Sequence, residues 1–220
     1  MKLLRPKNRA PAFTLVELLA VIVVLALMGA IIWPQLAPQH GRNFNSRVAC
    51  LNNLKQVGLS FRLWANDNND RFPMLVSVTN GGAMESARNG IIFPAFQVMS
   101  NVLSTPKVVV CPSDKQRSQA TNFTTDFNNS RVSYFVGVDA DETKPDMLLS
   151  GDRNLTTNRI ALGRGLMTLT TKSLAGWTSQ IHANQGNIGL ADGSVQQVSG
   201  SGLQGFIANT GVITNRLVLP

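Results

Sequence analysis

Residues 13–33, FTLVELLAVIVVLALMGAIIW, limit what this 220-residue chain can fold into more than any other stretch. The 21 residues carry one charge, Glu17, and none beyond residue 17 has a charged or strongly polar side chain. A helix rises about 1.5 Å per residue, so the stretch reaches roughly 30 Å, the thickness of a bilayer's hydrocarbon core. Ahead of it lie Lys2, Arg5, Lys7 and Arg9, with no acid. Positive charge before an apolar run holds that end in the cytoplasm and places the rest of the chain outside. A secretory signal peptide would need small residues after the run. Here the run ends in Trp33-Pro34-Gln35-Leu36, and the small residues Ala10-Pro11-Ala12 precede it.

A plain anchor does not account for Glu17. A carboxylate one turn inside an apolar helix costs about 2–3 kcal/mol or more unless it is paired or reaches the interface. The eight residues Ala12-Phe13-Thr14-Leu15-Val16-Glu17-Leu18-Leu19, behind a short basic leader, resemble the processing signal of type IV pilins and type II secretion pseudopilins. The resemblance implies that a prepilin peptidase cuts between Ala12 and Phe13 and methylates the new amine of Phe13. The family usually has Gly before the cut, and Ala12 departs from that. Pro34 matches a proline that many pilins carry at this place. In a filament the Phe13 amine would meet Glu17 of a neighbouring subunit among apolar helices. Opposite charges attract strongly there and neither is tolerated alone, which would fix the register between subunits.

The formal net charge of +8 comes largely from the leader; without its four cations, 16 basic and 12 acidic residues remain. No basic cluster with interleaved aromatics is left, so nucleic-acid binding is not expected. Cys50 and Cys111 form no CxxC or zinc-ligand spacing. On the oxidising side of a membrane they are either a disulfide or two buried free thiols. Closing a loop of this length stabilises by about 4 kcal/mol in the chain-entropy account.

After a break at Pro34, Pro38 and Gly41, apolar residues recur at helical steps: Cys50, Leu54, Val57, Phe61 and Trp64. Residues 43–65 are therefore an expected amphipathic helix whose apolar face needs a sheet to cover it. Asn66-Asp67-Asn68-Asn69-Asp70 ends it as a turn. An EF-hand reading fails there, because Phe72 stands where the loop needs Gly. A short helix is expected over 93–103 and another over 203–210. Strands are expected over 107–111, 131–139, 147–152, 159–162 and 212–219. The run 187–198 reads as a hairpin with a two-residue type I′ turn at Asp192-Gly193.

His182 precedes Asp192 by ten positions. This His-x9-Asp-Gly spacing is similar to the C-terminal signature of a large subgroup of pilin-like proteins, as are the blocks 50–73, 105–114 and 133–145. His182 and Asp192 could also be a base and its orienting acid, but no nucleophile pattern accompanies them. The favoured reading is a structural histidine and a turn aspartate, and no enzyme activity is expected. Some pseudopilins hold calcium in a C-terminal loop, which makes Asp139, Asp141 and Glu142 the candidate ligands. A solvated acidic loop around Lys144 is the alternative, and no other cofactor is expected.

The expected fold is α+β and pilin-like: a long helix, kinked near Pro34, with its C-terminal half on an antiparallel sheet. The expected divisions are leader 1–12, membrane and filament-core helix 13–33, amphipathic continuation 34–66 and extracytoplasmic domain 67–220. The resemblance implies a single-pass bacterial inner-membrane protein with a periplasmic C-terminal domain. Its expected partners are a prepilin peptidase, other pilin-like subunits and a secretion or pilus assembly platform. The expected function is a subunit of a type II secretion pseudopilus. A subunit of an adhesive or DNA-uptake pilus is the alternative, and an anchored enzyme a third.

Overall fold

The computed structural model describes residues 14–36 and 42–220. The chain forms two compact units, Met1–Gly41 and Arg42–Pro220. The first contributes helix α1, Leu15–Leu36. From Thr14 to Ala30 its side chains are exposed on every face, Leu15 at 78% and Leu25 at 62%. The helix continues past Pro34 to Leu36. The break expected after Pro34, with His40 in it, falls largely on residues outside those described. Among the described residues no helix is long and apolar enough to cross a membrane. The part of α1 with described side chains ends at residue 30 and spans about 24 Å, short of the roughly 30 Å required.

The second unit is α+β. Helix α2, Arg42–Asn66, matches the expected amphipathic helix to within a residue at each end. Cys50, Leu54, Val57 and Phe61 are fully buried and Trp64 nearly so. Short helices α3 (Met84–Arg88), α4 (Phe93–Gln97) and α5 (Ser100–Leu103) follow, so the helix expected over 93–103 is divided in two. Phe61 anchors this layer through Phe72 and Phe96, at ring distances of 6.1 and 5.9 Å.

Among the described residues nine strands follow: β1 Tyr134–Gly137, β2 Leu148–Asp152, β3 Leu155–Thr157, β4 Ile160–Ala161, β5 Gly165–Thr170, β6 Ala175–Trp177, β7 Gln185–Leu190, β8 Val195–Ser199 and β9 Thr214–Leu219. Helix α6, Gly200–Asn209, lies between the last two. A six-stranded antiparallel sheet runs β5-β9-β1-β2-β7-β8, and a small sheet runs β4-β3-β6. Both faces of the large sheet are covered. Tyr134, Val136, Leu149 and Val218 join the core under α2. Phe135, Leu148, Ile188 and Leu217 join a second core with Leu203 and Ile207 of α6. Burial on both faces is why these strands lack clean apolar–polar alternation.

Two local expectations are corrected. The valine-rich run 107–111 is no strand; Pro106–Val109 is a 3₁₀ turn begun by Pro106 and capped by the Thr105 hydroxyl. Its carbonyls bond outside a ladder: Asn53 Nδ2 donates to Val110 O at 3.1 Å and Ser133 N to Val109 O at 2.9 Å. The β7–β8 turn is longer than two residues. Gly193 N donates to Leu190 O at 3.0 Å, Leu190 N donates to Ser194 O at 2.9 Å, and only Gly193 takes positive φ (86°). Asp192 keeps ordinary φ and accepts Ser194 N through Oδ1 at 2.8 Å, which gives a type I turn with a glycine bulge.

Candidate functional site

The N-terminal motif enters the described residues at Thr14; Ala12, Phe13 and the leader lie outside them. Glu17 Oε2 accepts the Thr14 amide and the Thr14 hydroxyl, both at 2.8 Å, and Thr14 Oγ1 accepts Glu17 N at 3.3 Å. This is a reciprocal capping box, Thr-x-x-Glu, which satisfies donors that the first helical turn would otherwise leave unpaired. The Thr-x-x-Glu spacing of Thr14 and Glu17 is the sequence signal of this cap. Glu17 thus has a task within its own chain.

The second constellation is buried beneath α2. Cys50 of α2 and Cys111, which follows the 3₁₀ turn, form a disulfide with Cα atoms 4.8 Å apart. His182 Nε2 stands 3.4 Å from Cys111 Sγ, 3.5 Å from Asp152 Oδ2 and 3.2 Å from Asn187 Nδ2. Asp152 ends β2 and Asn187 lies on the neighbouring β7, so the sheet register brings them together. Asn187 donates to Asp152 Oδ2 through its amide at 2.7 Å and its side chain at 3.0 Å. Asp152 Oδ1 and His182 Nδ1 are buried without hydrogen-bond partners.

His182, Ala183 and Asn184 all have left-handed backbones, with φ of 57°, 52° and 62°. Each such non-glycine residue costs about 1 kcal/mol or more. The turn is held from both sides: Arg47 donates to His182 O at 3.0 Å, and Asn154 Nδ2 to Ile181 O at 3.0 Å. A cavity of about 370 Å³ opens beside it, with His182, Arg47, Pro112, Ser113 and Lys115 in its wall.

Burial pushes the Asp152 carboxyl from 3.8 up to about 7, against the pull of the Asn187 hydrogen bonds. Burial, helped by the Arg47 charge, lowers His182 from 6.5 to about 4. Between about pH 4 and 7 the contact is therefore a carboxylic acid beside a neutral imidazole, not an ion pair. Asn187 Nδ2 donates to Nε2, which keeps a lone pair on that nitrogen and the proton on Nδ1.

His182 thus works with Asp152, not with Asp192. Asp192 sits at the hairpin turn, where its carbonyl accepts from Arg62. The proposed calcium ligands do not converge. Asp139 pairs with Arg216, Glu142 accepts from Arg62 Nε at 3.3 Å, and Asp141 accepts the Thr143 amide and hydroxyl at 2.9 and 2.7 Å. Among the described residues the one group of three or more metal-ligating side chains is Cys50, Cys111 and His182.

No curated protein and no solved structure matches the chain. Residues 7–33 match the family model of the prokaryotic N-terminal methylation motif. That motif implies processing by a prepilin peptidase and assembly with other pilin subunits. It supports a type IV pilin-like structural subunit. With its basic leader, apolar helix and Glu17, the chain carries the N-terminal signature of type IV pilins and pseudopilins.

Proposed function

We propose that this chain is a pseudopilin: an inner-membrane precursor, cut between Ala12 and Phe13, that assembles into a periplasmic filament driving protein export. The match of residues 7–33 to the methylation motif carries this reading. The helix α1 supports it, because its apolar side chains are exposed on all sides and need either lipid or other such helices around them. Residues 13–33 serve as membrane anchor before assembly and as filament core afterwards. Helix α2 packs on the sheet in the pilin-like manner, and residues 67–220 form the extracytoplasmic domain.

Glu17 takes two roles in turn. In the precursor it caps its own helix through Thr14; in the filament it also faces the Phe13 amine of a neighbour. Export and surface functions separate the pseudopilus from a pilus. Deleting the chain is expected to leave exported proteins trapped in the periplasm. Intact export with lost adhesion or DNA uptake would assign it to a pilus instead.

A further inference from the structure

Arg47 is half-buried on α2, and among the described residues its charge has no counter-ion. Nη2 donates to His182 O at 3.0 Å and Nη1 to Gln185 Oε1 at 3.5 Å, and both acceptors are neutral. A guanidinium has five N–H donors, so Nε and one hydrogen on each terminal nitrogen stay unspent. The uncompensated charge is felt next door: burial lowers His182, and Arg47 lowers it further. The cavity of about 370 Å³ beside Arg47 holds a second cation, Lys115, which is exposed and has no partner among the described residues. The hydroxyls of Ser46 and Ser113, 3.0 Å apart, stand in the same wall, and no described acid does. Asp114, between Ser113 and Lys115, is buried and committed to Arg153.

The wall is also held in place. Cys50 lies three residues along α2 from Arg47, and Cys111 directly precedes Pro112, Ser113 and Lys115 of the wall, so the disulfide ties the two cation-bearing segments together. The left-handed turn closes the third side, and its Ala183 amide has no acceptor among the described residues. Two cations, two hydroxyls and an unspent amide, with no carboxylate, suit an oxyanion. A guanidinium fork matches phosphate oxygens in pairs, and an ammonium adds a second point charge. The volume exceeds a bare phosphate and leaves room for an ester substituent.

We propose that this cavity binds a phosphate ester, with Arg47 and Lys115 meeting the phosphate oxygens. The same chemistry is offered by a soluble phosphomonoester and by the headgroup of an anionic phospholipid. The site lies within the second unit alone and stands whether or not the chain builds a filament.

Calorimetric titration of the disulfide-intact full chain in non-ionic detergent tests this, with glycerol 1-phosphate, short-chain phosphatidylglycerol and, as a control, glycerol. The expected result is saturable binding of one phosphate ester per chain and none of glycerol. Binding of glycerol 1-phosphate identifies a soluble ester; binding of phosphatidylglycerol alone identifies a lipid headgroup. Lys115→Glu changes an exposed residue without a partner, and Arg47→Gln keeps a donor for His182 O while removing the charge. Each is expected to weaken binding at least tenfold with circular dichroism unchanged. Lys172→Glu, in the turn between β5 and β6 and outside the wall, should leave binding as it is. Absence of binding by both esters overturns the proposal. So does unchanged binding in Lys115→Glu, or an equal loss in Lys172→Glu, which would mean general attraction to a basic surface.

Discussion

His182 Nε2 and Asp152 Oδ2 stand 3.5 Å apart with side-chain exposures of 1% and 0%. Their shifts run in opposite directions, Asp152 up to about 7 and His182 down to about 4. Between about pH 4 and 6.5 the folded, oxidised chain keeps a proton on Asp152 and none on His182; the unfolded chain does the reverse. The proton counts match, so the pair adds no slope to stability across that window.

Single variants expose the hidden slopes. With His182→Asn, the folded state binds the extra proton between about pH 4 and 7. Stability then falls as pH rises, by about 1.4 kcal/mol per unit. With Asp152→Asn, the unfolded state binds the extra proton between about pH 4 and 6.5, and stability rises with pH at a similar slope. Urea unfolding of both variants across this range checks the signs. Parallel slopes would contradict the assignment.

Asp114 is held by Arg153 through two bonds, Nε to Oδ2 at 2.7 Å and Nη2 to Oδ1 at 2.9 Å. Burial alone would raise its carboxyl, but Arg153 outweighs that and holds it below the usual carboxylate range. Its contribution is therefore present above about pH 4 and lost as pH falls through the lowered value. Asp114→Ala is expected to cost about 3 kcal/mol, because it leaves the Arg153 guanidinium without its carboxylate, with only Gln116 Oε1 to accept from it. The double variant Asp114→Leu with Arg153→Met should lose less. A larger loss in the double variant would argue against the pair as the cause.

The capping box separates the two tasks of Glu17. Thr14→Val removes the hydroxyl and should cost about 1 kcal/mol of first-turn stability, seen as faster amide exchange at the start of α1. Glu17→Gln can still cap but carries no charge. On the proposed filament register it keeps amide protection yet fails to assemble. Full assembly of Glu17→Gln would remove the charge from the register.

Helix α2 was legible because one face of it repeats Cys50, Leu54, Val57, Phe61 and Trp64, and a single periodic stripe has one solution. Lys107-Val108-Val109-Val110-Cys111 misled because β-branched residues suit any buried extended segment, while Pro106 imposed a turn. Strands β3 and β6 have three residues each, too short for a period to show. Gly186 belongs to β7 for a reason outside the strand: a Cβ there would come within 2.5 Å of the Trp177 ring.

The site divides the same way. Phe13 and Glu17 are local and could be read as a motif. His182 and Asp152 meet only because β2 pairs with β7, Gly151 opposite Ile188, a long-range register that no local spacing encodes. The spacing that could be seen, His182 to Asp192, links residues with separate structural jobs.

Prepilin-type processing is decided by the intact mass and N-terminal sequence of the protein from membranes, with and without its prepilin peptidase. The expected product is a mature chain beginning at methylated Phe13, made only when the peptidase is present. A chain that keeps Met1–Ala12 with the peptidase active, or one cut after Trp33, would contradict it.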